Sequence, residues 1–213
     1  MRTFIAYFLL LFCAVVPGER RSKHRHRSSA HGAAFDYYLL TLSWSPEYCH
    51  GHPTDEQCTG GKHYGFVVHG LWPEYRSGSG PQHCGYGPGI SNPSAMLDIM
   101  PSLHLIEHEW TTHGTCSGLD ANAYFGSIRK AFTATRIPTQ FTNVDHQLTL
   151  SPLQIEQAFQ QANPELPPGS VQVTCPSYYL QGIEICLDKG LNHIACPAPR
   201  DCHAQSIKVP PIR

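Results

Sequence analysis

Eight cysteines spread between positions 49 and 202, with no C-x-x-C pair among them, constrain the fold more than any other feature of this chain. They follow a segment, residues 1–18, in which Arg2, the apolar run Phe4 to Val16 and the exit Pro17-Gly18 have the charged start, apolar middle and small-residue end of a secretory signal peptide. The ninth cysteine, Cys13, lies inside that segment and is expected to leave with it. An even set of cysteines in an exported chain reads as four disulfides. Cys49 and Cys58, and the cluster from Cys175 through Cys186 and Cys196 to Cys202, favour short bridges within themselves, which leaves Cys84 for Cys116. The apolar run is shorter than the roughly 20 residues of a spanning helix, so no membrane attachment is expected once it is removed. The expected location is outside the cell, in a periplasm, or in a lysosomal or vacuolar type of compartment.

Residues 19–33 form a basic stretch, with Arg20, Arg21, Lys23, Arg25 and Arg27 among Ser and His, and read as a solvated flexible leader. From residue 34 to 213 no repeat or second change of composition appears, so this body is expected to be one domain, and a monomer. It carries nine Lys and Arg against fifteen Asp and Glu, a net charge of −6, together with eleven histidines. Unperturbed imidazoles titrate near pH ~6.5, so this charge is expected to reverse in mild acid.

YYLLTLSW and KHYGFVVHGLW are rich in β-formers, and Val171, Val173 and Cys175 alternate before a further strand around Ile183 and Ile185. Asp120 can cap a helix with Tyr124, Ile128 and Phe132 on one stripe. Ser151-Pro152 opens another with Ile155, Phe159 and Ala162, ended by Pro164. A third runs from about Ser102 to His113, with Gly114 expected to end it in a left-handed cap. Strands and helices come in groups and do not alternate as βαβ units, so the class is α+β.

Two histidine-bearing segments carry the chemistry: GFVVHGLWPEY and HLIEHEWTTHGTC. Alternation along the first would place Val67, His69 and Leu71 on one side of a strand, with Gly70 allowing another group to come close to the histidine. In the second, Glu109 and His113 lie four apart on a helix, so the carboxylate is expected to orient the imidazole or raise its basicity. His104 and His108 share the same spacing. Two imidazoles near neutrality suit phosphodiester transfer in RNA: one takes the ribose 2′-OH proton, the other protonates the departing 5′ oxygen, and a third cation steadies the charge on phosphorus. A rival reading is zinc, because HLIEH matches H-x-x-E-H. HEWTTH fails as H-E-x-x-H, and no segment supplies a third ligand, so no metal and no other cofactor are expected.

HGLWPEY and HEWTTHGTC resemble the two active-site segments of the ribonuclease T2 family, and LTLSWSPEYC and NPELPPGSVQVTC through EICLDK resemble its terminal portions. The likeness runs from residue 34 to about 202. It implies an α+β fold with a central antiparallel sheet flanked by helices, and metal-free cleavage of single-stranded RNA through 2′,3′-cyclic phosphates. It implies His69 as general acid, His113 as general base, His108 on the phosphate, and Glu109 stabilising the transition state or positioning His113. Trp72 and Glu74 match one base site, with Tyr75 beside them. The implied bridges are Cys49–Cys58, Cys84–Cys116, Cys175–Cys202 and Cys186–Cys196.

Two positions depart from the family. Thr112 stands where a lysine is usual; its hydroxyl is expected to give the substrate one hydrogen bond and no charge, and His104, one turn before His108, is expected to replace part of the missing charge. Leu105 stands where relatives place an aromatic for the other base site, so weaker stacking and broad base acceptance are expected there. A weakly catalytic RNA-binding protein of the same fold, and a zinc hydrolase using HLIEH, are the competing functional classes.

Overall fold

β1 (Tyr37–Trp44) is buried along its whole length, which explains why YYLLTLSW is nearly continuously apolar. The structure is a computed structural model that describes residues 34–212. The signal-like segment and the basic stretch at 19–33 lie outside the described residues. After β1 come α1 (Ser45–Gly51), α2 (Glu56–Thr59), β2 (Phe66–Glu74), α3 (Leu103–Thr112), α4 (Ala121–Thr133), β3 (Leu148–Leu150), α5 (Pro152–Ala162), β4 (Val171–Thr174), β5 (Gly182–Leu187) and β6 (Ile207–Val209). Four strands form an antiparallel sheet in the order β2-β1-β5-β4, and β3 pairs with β6. The class is α+β, with this sheet packed against helices.

One face of β1 sends Tyr38, Leu40, Leu42 and Trp44 into the main core, where Ile183, Ile185, Ile128 and Phe159 meet them. Full burial of each such side chain contributes about 1.5–3 kcal/mol. The other face sends Tyr37 and Leu39 into a smaller cluster with Cys186, against which Trp72 and Cys196 pack. The bridges are Cys49–Cys58, Cys84–Cys116, Cys175–Cys202 and Cys186–Cys196. With its ends 32 positions apart in the chain, Cys84–Cys116 ties the long segment after β2 to the end of α3, a constraint on the unfolded chain of about 3–4 kcal/mol.

The helix starts follow their caps. The side chains of Ser102, Asp120 and Ser151 accept from the backbones of Leu105, Ala123 and Gln154, and Ser151 and Gln154 complete a capping box. The end of α3 differs from the left-handed cap expected at Gly114. His113 closes the helix with φ −114°, and Gly114 opens a 3-10 turn, Gly114–Cys116. Glycine is required there by space: a Cβ would lie 2.4 Å from Cε3 of Trp110 and 2.9 Å from the ring of Tyr124.

β2 departs from simple alternation. Thr41 faces Gly70 and Leu42 faces Val68, so His69 is the extra residue of a β-bulge, without a partner on β1. Val67 pairs with Ser43 and Leu71 with Leu40, which places these two on opposite faces, not together as alternation predicts. The bulge frees His69 from the sheet pattern at the sheet's edge, beside α3.

Candidate active site

Gly70 makes the site possible. A Cβ there would sit 1.8 Å from Oε2 of Glu109 and 2.6 Å from Nε1 of Trp72, so only glycine lets the carboxyl from α3 reach β2. Into that gap Glu109 projects with no solvent exposure. The indole N–H of Trp72 donates to Glu109 Oε2 at 2.8 Å, and His69 Nε2 lies 3.4 Å from Oε1. The Trp72 ring stacks on His113 with centroids 4.9 Å apart, and meets His69 edge-on at 5.5 Å. Both imidazoles therefore flank one indole.

The carboxyl of Glu109 turns to β2 and not to His113, the partner that helical spacing predicts. His113 stands at the C-terminal cap, where the chain leaves helical geometry, and its Nδ1 is buried without a hydrogen-bond partner. Its basicity falls accordingly. Burial, with smaller contributions from the charges of His108, His69 and His83, lowers its pKa to about 4. Burial and then the His108 charge lower His69 to about 4 as well. Burial raises Glu109 to about 8, opposed by the Trp72 hydrogen bond. All three groups are thus uncharged at mildly acidic pH in the free protein. A phosphate anion placed among them would favour imidazolium.

His108 is exposed on α3, next to Glu109 in the chain, with its pKa lowered by burial and then by His104 and His83. His104 is exposed at the preceding turn, and Leu105 is half-buried against the core. Thr112 differs from the expected substrate contact: it is buried, its hydroxyl has no partner, and its carbonyl accepts from the backbone of His83 at 2.8 Å. Glu74 is buried and accepts from Nη2 of Arg200 at 2.5 Å, while Tyr75 is half-buried on the core. Among the described residues no group of three His, Cys, Asp or Glu side chains has the arrangement of a metal site, His104, Glu107 and His108 of HLIEH included.

Two residues near the site went unnoticed in the sequence, His83 and Arg200. Each lies within two residues of a bridged cysteine, Cys84 and Cys202, and Cys84 pairs with Cys116, three residues past His113. The pairing is the signal that could have brought His83 to the end of α3.

A family model described as the ribonuclease T2 family matches residues 35–196. A ribonuclease of Aeromonas hydrophila is 46% identical over 94 residues, 42% of this chain and 41% of that protein. A probable ribonuclease of Haemophilus influenzae is 34% identical over 125 residues, 51% and 46% of the two chains. The chain therefore spans less than half the length of these two relatives. Ribonuclease DdI of Dictyostelium discoideum is 29% identical over 185 residues, 76% of this chain and 78% of that one. Among solved structures, an RNase-related protein from Calystegia sepium superposes with a TM-score of 0.67 at 23% identity, over 84% of this chain and 98% of that chain. RNase NT in complex with 5′-AMP gives 0.62 at 25%, over 84% and 100%.

Proposed function

The chain belongs to the ribonuclease T2 family, and on that premise we propose that it is an exported endoribonuclease that cleaves single-stranded RNA in acid without a metal. The observation that carries this reading is the convergence of His69, Glu109 and His113 on the indole of Trp72. In the first step the base, His113, takes the proton of the ribose 2′-OH as that oxygen attacks phosphorus. The acid, His69, gives a proton to the 5′ oxygen as its bond to phosphorus breaks. The products are a 2′,3′-cyclic phosphate and a free 5′-OH. In the second step the roles interchange, and water opens the cyclic ester to a 3′-phosphate.

Exposed on α3, His108 offers an N–H to a nonbridging phosphate oxygen, and His104 adds charge one turn away. The role of Glu109 follows from its neighbours. Protonated below about pH 8, it accepts the Trp72 N–H at Oε2, while Oε1, buried without a hydrogen-bond partner, has an O–H to offer the phosphorane; it stands beside His69 and not His113. Base selection is weak at the position facing Leu105, where an aliphatic side chain replaces a stacking surface. The protein works as a monomer, outside the cytosol.

Incubation of the purified protein with RNA at pH 5 in EDTA, followed by end analysis, tests the reading. Cyclic-phosphate ends that later become 3′-phosphates are expected. Loss of cleavage in chelator, or products with 5′-phosphates, would overturn it.

A further inference from the structure

The disulfide-bonded C-terminal segment delivers a guanidinium, that of Arg200, to the edge of the site. Its backbone N–H is held by Gln172 Oε1 at 2.5 Å, and the neighbouring Asp201 accepts from Val173 and Cys202, each at 3.0 Å, so the segment is pinned to β4. The guanidinium reaches over the sheet to Glu74, two residues beyond Trp72 on the same face of β2. Residues two apart on a strand lie about 7 Å from each other. Trp72 in turn touches both catalytic imidazoles, so Arg200 lies within the span of a nucleotide whose phosphate sits between them.

Neutralising Glu74 does not exhaust the fork. A guanidinium has five N–H donors in one plane; Glu74 takes one from Nη2 and the Tyr37 hydroxyl is within reach of a second, with Glu184 adding its charge nearby, which leaves three for a ligand. Glu74 is 6% exposed at its side chain, but Arg200 keeps 34%, so the guanidinium and not the carboxylate meets an incoming base. The ion pair also fixes the orientation of the plane, which lowers the entropic cost of a second, bidentate contact.

We propose that Arg200 reads one of the two bases beside the scissile bond and selects guanine. Resting on the ribonuclease reading above, this narrows the base choice on the side away from Leu105. Guanine presents two acceptors, O6 and N7, that match a guanidinium edge. Adenine replaces O6 with an amino group beside N7, a donor facing donors, so a guanidinium edge separates the two purines. Selection for guanine over adenine is expected at about tenfold or more.

Rates for the two dinucleoside phosphate series, with guanine, adenine, cytosine or uracil on either side of the bond, are measured at pH 5 beside affinities for 5′-GMP and 5′-AMP. The wild-type protein is expected to favour guanine in one series and GMP over AMP by about tenfold. Arg200→Lys keeps a charge on Glu74 and so protects the fold, yet lacks the fork; it and Arg200→Ala are both expected to bring the ratio within about twofold of one. A wild-type ratio near one, or a ratio retained in either variant, overturns the proposal. Preferential GMP binding without any cleavage would leave base reading standing and remove the ribonuclease reading instead.

Discussion

His69 Nε2 stands 3.4 Å from Glu109 Oε1, an imidazole and a carboxyl brought together from an edge-strand bulge and a helix forty residues later. Burial disfavours charge on both, which holds the His69 pKa down to about 4 and the Glu109 pKa up to about 8, so the pair is neutral between those values.

The proton transfers depend on the two imidazoles against Trp72. His69→Ala and His113→Ala are each expected to lower kcat by about 10²–10⁴, with folded protein retained. His108→Ala is expected to raise KM as well as lower kcat, because its exposed ring meets the phosphate. Turnover spared in either of the first two variants would remove the mechanism.

The pH dependence follows from imidazoles lowered to about 4. Cleavage needs one protonated and one neutral, a state most populated near those values. In the free protein kcat/KM is therefore expected to climb as pH falls from 7 towards about 4 and to decline below it. Bound phosphate favours imidazolium, so the kcat profile is expected at higher pH than that of kcat/KM. A rate plateau extending past pH 8 contradicts this.

Stability carries a second pH signature. Glu109, raised from 4.5 to about 8, keeps a proton that the unfolded chain has released, so its contribution weakens as pH rises between those values. His69 and His113, lowered from 6.5 to about 4, act oppositely: the unfolded chain takes protons first, and stability is lost as pH falls through that window. Glu109→Gln is expected to flatten the loss between about 6.5 and 8 and to leave the acid-side loss in place. Parallel Tm profiles for the two proteins would show that this carboxyl stays ionised in the fold.

Space at Gly70 can be tested against space elsewhere. Gly70→Ala forces a methyl into the Glu109 carboxyl and is expected to cost about 1–3 kcal/mol of stability. The displaced carboxyl should also lower kcat by about 10²-fold. A methyl on Gly126 in α4 would meet nothing within 4 Å, so Gly126→Ala is expected to stabilise by about 0.5–1 kcal/mol without changing cleavage. Equal kcat in both variants would mean that Glu109 has no bearing on His69.

Helix starts at Ser102, Asp120 and Ser151 were legible because a cap acts on the backbone three residues away. The close approach permitted by Gly70 was legible too, since glycine beside a histidine leaves room whichever group fills it. Its occupant was not. Helical spacing assigns Glu109 to His113, and the carboxyl turns instead to a strand because His113 has already left the helix.

Residue types at short spacing were enough to mark the four strands of the main sheet, the three longer helices, the even cysteine set and the two histidine segments, but not β3, β6, α1 or α2. Long-range packing set the bulge at His69, the burial of Thr112 and its backbone link to His83, the neighbours of Glu109, and the seating of Arg200 on Glu74. The Trp72–Glu109 and Glu74–Arg200 contacts join residues 37 and 126 positions apart. No local pattern encodes such a pairing; it emerges when burial of the core brings a strand edge, a helix end and two disulfide-tied segments to one place, and withdraws their charges from water.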